Sequence, residues 1–124
     1  MTPYPAGYDE TTDVALKEQH ANARPKLSTH VDRMEDYDTI FLGYPNWWGT
    51  IPMAVCAFLE EYKLSGKTIV PFCTHEGSRL GSSERDIAKL CPGARLLGGL
   101  AIRGSSVERA RKDVNDWLAG LGYR

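Results

Sequence analysis

The pattern of hydrophobic and polar positions predicts three short strands that alternate with helices. The strands are apolar runs bounded by polar residues, at Thr39–Gly43, at Thr68–Phe72 and within Arg95–Ile102. The continuous run at Thr39–Gly43 is typical of a strand buried on both faces, as in a parallel sheet. Helical spacing follows each strand, and a further helix precedes the first one. This order predicts an α/β fold with a parallel sheet and right-handed crossovers.

Local signals suggest where each helix lies. The first helix is expected over about Glu10–Asn22, with Asp9 as its N-cap, and the second over about Ile51–Tyr62. The stripe predicted to be buried in the second helix is Val55, Phe58, Leu59 and Tyr62. Two further helices are expected to begin with capping boxes, which are formed by Ser83 with Asp86 and by Ser105 with Glu108. The residues expected on one face of the last helix are Val107, Ala110, Val114, Trp117, Leu118 and Leu121.

Composition and charge narrow the class of protein. The 124 residues are 42% hydrophobic and 25% charged, which predicts one globular domain over residues 1–124. A net charge of −1 gives no indication of binding to nucleic acid or to a membrane surface. The N-terminal Met1–Pro5 segment has no signal-peptide pattern. Three widely spaced cysteines in apolar segments predict buried thiols in a reducing compartment, so we expect a cytoplasmic protein.

Two loops follow the carboxyl ends of predicted strands, and ligands of parallel sheets bind beyond these ends. The first, residues 43–50, places Trp47 and Trp48 side by side, and we call it the tryptophan loop. A planar aromatic ligand would explain two adjacent tryptophans in a loop. The alternative is that one of them fills the core and the other covers a helix end. The second, residues 73–81, is rich in glycine and hydroxyl residues and contains His75; we call it the histidine loop.

Together the two loops resemble those of the flavodoxin family, in particular a bacterial group with Pro-x-Trp-Trp-Gly and Thr-His-Glu-Gly-Ser motifs. The resemblance runs from about Tyr4 to the C-terminus. It implies a flavodoxin-like parallel sheet with helices on both faces, in which these strands are the third, fourth and fifth. It also implies that FMN is the cofactor and that electrons or hydride are transferred at the flavin. The residues that it assigns to the two walls around the flavin ring are Pro45, Asn46, Trp47, Trp48 and Gly49, and Thr74, His75, Glu76, Gly77 and Ser78.

The family also has a phosphate-binding loop after its first strand, and only Met1–Pro3 precede Tyr4 here. We therefore expect an N-terminally truncated form of the fold that binds FMN weakly. The Thr39–Leu42 strand would then be a bare apolar edge, which predicts a homodimer that pairs through it. The near-neutral charge favours a flavoprotein with its own small-molecule substrate, or a remnant, over a soluble electron shuttle.

Two other interpretations stay open at this stage. The chain could be a cofactor-free dimeric remnant that acts as an interaction module, and flavin titration would distinguish the two. A hydrolase with Cys73 as nucleophile, His75 as base and Glu76 as orienting group is much less favoured, because a free cysteine at a strand end is usually a buried small hydrophobe. Cys73 and His75 also have no neighbouring pair of ligands with the spacing of a zinc site.

Overall fold

The structure of the protein, a computed structural model, describes residues 8–123. A parallel sheet forms its centre, with helices on both faces, as the sequence predicts. The elements in chain order are α1 (Tyr8–His20), β1 (Thr39–Pro45), α2 (Met53–Glu61), β2 (Thr68–His75), α3 (Ser83–Leu90), β3 (Arg95–Leu96), β4 (Leu100–Arg103) and α4 (Arg111–Leu121). Short 3-10 turns lie at Met34–Asp36 and Gly104–Arg109. The Met1–Pro5 segment and the expected truncation before Tyr4 fall outside the described residues.

β2 is the central strand of the sheet. It pairs in parallel with β1 on one side and with β3 and β4 on the other. β3 and β4 are two parts of the predicted third strand, separated by the segment that contains Gly98 and Gly99. Because Pro45 of β1 is the register partner of Thr74 in β2, the loops that follow the two strands begin side by side. This register brings the tryptophan and histidine loops together.

β1 and β2 are longer than the apolar runs that predicted them. β1 continues past Gly43 to Pro45 and β2 continues past Phe72 to His75, and Pro71 lies within their ladder opposite Leu42. The expected burial of β1 on both faces is wrong. Leu42 and Tyr44 are buried, whereas Phe41 on the opposite face is 46% exposed.

Unequal coverage by the helices explains this difference. The hydrophobic core lies on the side of the sheet that carries Leu42 and Tyr44, where it includes residues of α2 and α3. On the opposite face, α4 and the residues after it meet the sheet through two aromatic pairs. The rings of Phe41 and Tyr123 are 5.4 Å apart, and those of Phe72 and Trp117 are 6.1 Å apart. Phe41 and Phe72 on this second face therefore stay partly accessible.

The buried stripe of α2 also differs from the prediction. Met53, Cys56 and Leu59 are its buried residues, whereas Val55 and Phe58 pack at the edge of the core. All three cysteines of the chain are buried and free, as predicted. The burial of α2 thus follows a spacing of three residues around Cys56.

The structure differs from the sequence at all three predicted helix starts. α1 begins at Tyr8, so Asp9 lies inside it. The buried hydroxyl of Ser83 is 2.8 Å from the phenol oxygen of Tyr44, because a buried hydroxyl needs a partner, and it does not cap α3. The Ser105–Glu108 segment forms a 3-10 turn instead of the first turn of α4.

Among the helices of residues 8–123, none is both long enough and apolar enough to cross a bilayer. Within the same residues, β1 pairs with β2 along one edge, and no strand pairs with its other edge. The predicted homodimer through this edge stays a prediction.

Candidate functional site

A cleft of about 470 Å³ opens at the carboxyl ends of β1 and β2, and we call it the loop cleft. Nine of the ten residues assigned to the two walls line it, and Gly77 lies outside its lining. The lining residues from the tryptophan and histidine loops are Pro45, Asn46, Trp47, Trp48, Gly49, Thr74, His75, Glu76 and Ser78. The sequence-based interpretation missed Gly104 and a third wall, which α1 forms with Thr11, Thr12 and Ala15.

Asn46 joins the two loops at the base of the cleft. Its main-chain nitrogen donates to the carbonyl oxygen of Thr74 at 2.8 Å. Its side-chain Nδ2 donates to the carbonyl oxygen of Arg79 at 2.7 Å, and its Oδ1 accepts from the amide of Gly49 at 3.0 Å. Two of these contacts cross to the histidine loop and the third lies within the tryptophan loop, so Asn46 holds the two loops at a fixed separation.

The tryptophan loop closes as a tight turn between Trp47 and Thr50, whose main chains exchange hydrogen bonds. Trp48 has a φ of 52°, and Gly49 has a φ of 85°. A positive φ is uncommon for a bulky residue, so the surrounding contacts must hold it. The indole Nε1 of Trp48 donates to the carbonyl oxygen of Thr12 in α1 at 2.8 Å.

Both tryptophans therefore keep part of their surface accessible to the loop cleft. Trp48 is 48% exposed, and Trp47 is half-buried. Neither one is a fully buried core residue. Trp48 does contact a helix, as the alternative interpretation expected, but it lines the cleft at the same time.

The start of α3 supports the tryptophan loop from below. The amide of Ser82 donates to the carbonyl oxygen of Gly49 at 2.8 Å. The side chains of Thr50 and Ser82 both donate to the carboxylate of Asp86. Gly81 has a φ of 54°, and a Cβ atom there would stand 2.0 Å from the carbonyl oxygen of Gly49. The close approach of these two backbones requires glycine at position 81.

His75 and Glu76 give the histidine loop its shape. His75 is 9% exposed, and its Nδ1 accepts a hydrogen bond from the amide of Gly77 at 2.9 Å. In the neutral ring this leaves the proton on Nε2. The carboxylate of Glu76 accepts from the amide of Ser105 at 3.1 Å and lies 3.9 Å from the guanidinium of Arg103. These contacts attach the loop to the end of β4.

Cys73 lacks the environment of a nucleophile. Burial raises the pKa of its thiol, and its Sγ donates to the carbonyl oxygen of Arg79 at 3.3 Å. The carboxylate of Glu76 accepts a hydrogen bond from the amide of Ser105. This contact does not support a role for Glu76 in orienting His75 as a base. Among residues 8–123, no group of three or more His, Cys, Asp or Glu side chains is placed to hold a metal ion.

Comparison with known proteins agrees with the geometry of the fold. The family model for flavodoxin matches residues 8–121. The chain belongs to the flavodoxin family. No curated protein sequence matches this flavodoxin-family chain.

Solved structures show the same fold. The crystal structure of a candidate flavoprotein from Bacteroides uniformis has a TM-score of 0.71 and 26% identity, over 90% of this chain and 74% of that one. A second one, from Bacteroides eggerthii, has a TM-score of 0.69 and 29% identity, over 91% and 75%. A flavoprotein from Lactobacillus acidophilus, crystallised with FMN, shares the fold with a TM-score of 0.68 and 22% identity, over 87% and 72%.

Proposed function

We propose that this flavodoxin-family protein binds FMN with the flavin ring in the loop cleft and takes part in redox reactions through it. The observation that carries the proposal is the joining of the tryptophan and histidine loops by Asn46, which makes them opposite walls of one cleft. When bound, the flavin supplies the electron or hydride chemistry. The side chains of the protein bind the ring, orient it and limit its contact with water.

The polar groups of the cleft fit a flavin ring, whose edge carries carbonyl oxygens and ring nitrogens. The amides of Trp48 and Ser78 donate to no acceptor within residues 8–123, which leaves them available to a ligand. The Nε2 proton of neutral His75 is a further donor in the lining. The accessible indole of Trp48 offers an aromatic surface for the ring, and its bond to Thr12 holds it in place.

We expect the phosphate-bearing tail of FMN to contribute little to the affinity of these residues for the cofactor. No lysine or arginine is among the described residues that line the loop cleft, so none of them neutralises a phosphate there. Riboflavin, which has the same ring without the phosphate, should bind the 124-residue chain about as tightly as FMN. This expectation matches the weak FMN binding predicted from the sequence.

Net charge bears on the role of the flavin. The chain carries a net charge of −1, whereas long-range steering to a basic partner protein requires a strongly acidic surface. We therefore favour reaction with a small-molecule substrate over shuttling electrons between proteins.

Flavin titration tests the proposal. Adding the chain to riboflavin or FMN should quench flavin fluorescence saturably, with similar dissociation constants for the two ligands. Replacing Trp48 by Ala should raise both constants about fivefold, because an aromatic contact contributes about 1 kcal/mol. Trp117→Phe is the control, since Trp117 lies on α4 and packs against Phe72 outside the lining of the cleft.

The titration also separates the proposal from a cofactor-free interaction module. Saturable binding that Trp48→Ala weakens and Trp117→Phe leaves unchanged supports the ring site. If neither flavin changes its fluorescence up to the solubility limit of riboflavin, the chain does not bind the cofactor and the proposal is wrong.

A further inference from the structure

A second cleft, of about 390 Å³, lies beside the loop cleft. Its lining comes from the histidine loop, from β4, from the 3-10 turn after β4 and, through Asp113, from α4. His75 lines both clefts, so they share one wall. A molecule in the second cleft would therefore lie next to a ring in the first.

The second cleft is strongly basic, and we call it the arginine cleft. Arg79, Arg103 and Arg109 all line it, and the carboxylate that lines it is that of Asp113. Arg103 is 3.9 Å from Glu76, a distance at the limit of an ion pair. Within residues 8–123, the guanidinium groups of Arg79 and Arg109 form no ion pair or hydrogen bond. Positive charge thus exceeds negative charge in this cleft.

The backbone of Arg79 is held in place although its side chain is exposed. Its φ is 53°, a conformation that costs a residue other than glycine about 1 kcal/mol. Its carbonyl oxygen accepts hydrogen bonds from Asn46 at 2.7 Å and from Cys73 at 3.3 Å. Asn46, which joins the walls of the loop cleft, therefore also positions Arg79 at the edge of the arginine cleft.

We propose that the arginine cleft binds the carboxylate or phosphate group of a second small molecule. Guanidinium groups pair with both anions through two parallel hydrogen bonds, and three of them converge here. A concave site of a few hundred cubic ångströms fits a small molecule better than an extended polymer. Its role as the site of a co-substrate beside the flavin rests on the proposed function, whereas the binding of an anion does not.

Binding of inorganic phosphate and of succinate, measured by NMR at constant ionic strength, tests this site. Both probes should shift the amide signals of Gly77, Ala101 and Ser106, which line the cleft. The double variant Arg79→Gly/Arg109→Gln should raise both dissociation constants at least tenfold, because it removes two charge-assisted contacts. Glycine at position 79 keeps the left-handed backbone conformation, so the loop is preserved.

Arg95→Ala provides the matched control. Arg95 is exposed at the start of β3, opposite Thr68 at the amino end of β2, and so lies at the far end of the sheet. It should leave both dissociation constants within about twofold of the wild type, since it removes a charge without touching the cleft. The proposal is wrong if the probes shift no signals around the cleft, or if Arg95→Ala weakens binding as much as the double variant.

Flavin titrations of the same double variant identify the source of the anion. A site for a second molecule predicts unchanged binding of both FMN and riboflavin. Weaker binding of FMN with unchanged binding of riboflavin would mean that the arginines hold the phosphate of the flavin itself, which would overturn the proposal of a second molecule. If the wild type binds phosphate or succinate at the arginine cleft but binds no flavin, the proposed function fails and the anion site stands.

Discussion

Asn46 of the tryptophan loop donates a hydrogen bond from its side-chain Nδ2 to the carbonyl oxygen of Arg79 in the histidine loop, at 2.7 Å. This bond connects two segments that are separated by 33 residues in the sequence. It also links the two clefts of the molecule, because Asn46 lines the loop cleft and Arg79 lines the arginine cleft. The geometry of both clefts thus depends on one side-chain amide.

Replacing Asn46 by Ala should lower the free energy of unfolding by about 1–3 kcal/mol, because the Gly49 amide loses its partner and the Arg79 carbonyl keeps only the bond from the Cys73 thiol. Asn46→Asp should cost less, since its oxygen still accepts from Gly49. Chemical denaturation measures the change, and flavin titration should show weaker binding in the same order. The matched control Asn115→Ala lies on the exposed surface of α4 and should change stability by less than about 0.5 kcal/mol. Equal effects of Asn46→Ala and Asn115→Ala would contradict a joining role for Asn46.

Gly81→Ala should destabilise the protein by at least about 2 kcal/mol, because the added Cβ meets the Gly49 carbonyl oxygen and the φ is positive. The two loops would have to separate, so flavin binding should weaken as well. Gly120→Ala is the control, since Gly120 lies within α4 and a Cβ there meets nothing within 4 Å. Alanine at position 120 should raise the free energy of unfolding by about 0.5–1 kcal/mol. A Gly81→Ala variant as stable as the wild type would refute the close approach of the two backbones.

Stability should fall at alkaline pH through Tyr44. Burial raises the pKa of its phenol from 10.0 to about 12 in the folded protein. The folded state therefore holds this proton more tightly than the unfolded state. The resulting stabilisation is complete below pH 10 and is lost as the pH rises towards 12.

Tyr44→Phe tests this dependence by urea denaturation at several pH values. The variant should lose about 1–2 kcal/mol near pH 8, because the buried hydroxyl of Ser83 loses its partner. Its stability should then fall less steeply than that of the wild type between pH 10 and 12. Tyr37→Phe, at an exposed position, should follow the wild-type curve. A Tyr44→Phe curve parallel to that of the wild type over this range would show that the phenol does not cause the alkaline loss.

One edge of β1 pairs with no strand among residues 8–123, which leads us to expect a homodimer, as the sequence suggested. Phe41 and Phe72 add accessible apolar surface on the neighbouring face of the sheet. Sedimentation velocity should show a dimer at micromolar concentrations, and Phe41→Lys should shift it towards the monomer. Ser65→Lys adds the same charge at an exposed turn and should leave the dimer intact. A wild-type chain that sediments as a monomer would contradict this expectation.

The sequence predicts the order of elements and the position of the two loops well, because both depend on local patterns. An apolar run followed by helical spacing specifies a strand and its crossover, and parallel pairing then places residues 45–49 beside residues 74–78. The burial of β1 could not be predicted in this way. It depends on how completely helices distant in sequence cover each face, and the exposed ring of Phe41 lies where α4 covers the sheet only in part.

Other features of the site depend on partners far along the chain. Ser83 matches a capping pattern locally but bonds to Tyr44, which is 39 residues away. Thr12 contributes to the cleft because its carbonyl oxygen accepts from Trp48, a contact that no motif in α1 indicates. The arginine cleft combines residues from the histidine loop, β4, the 3-10 turn after β4 and α4, and only the histidine loop among these is indicated as functional by the sequence.

A crystal structure of the chain with riboflavin tests the central claim most directly. The account predicts electron density for the flavin ring in the loop cleft, between the Pro45–Gly49 and Thr74–Ser78 segments and in contact with Trp48. The accessible aromatic face formed by Phe41, Phe72 and Trp117 is the other surface where a flat ring could lie. Density for the ring on that face, or none in the loop cleft at saturating riboflavin, would contradict the account.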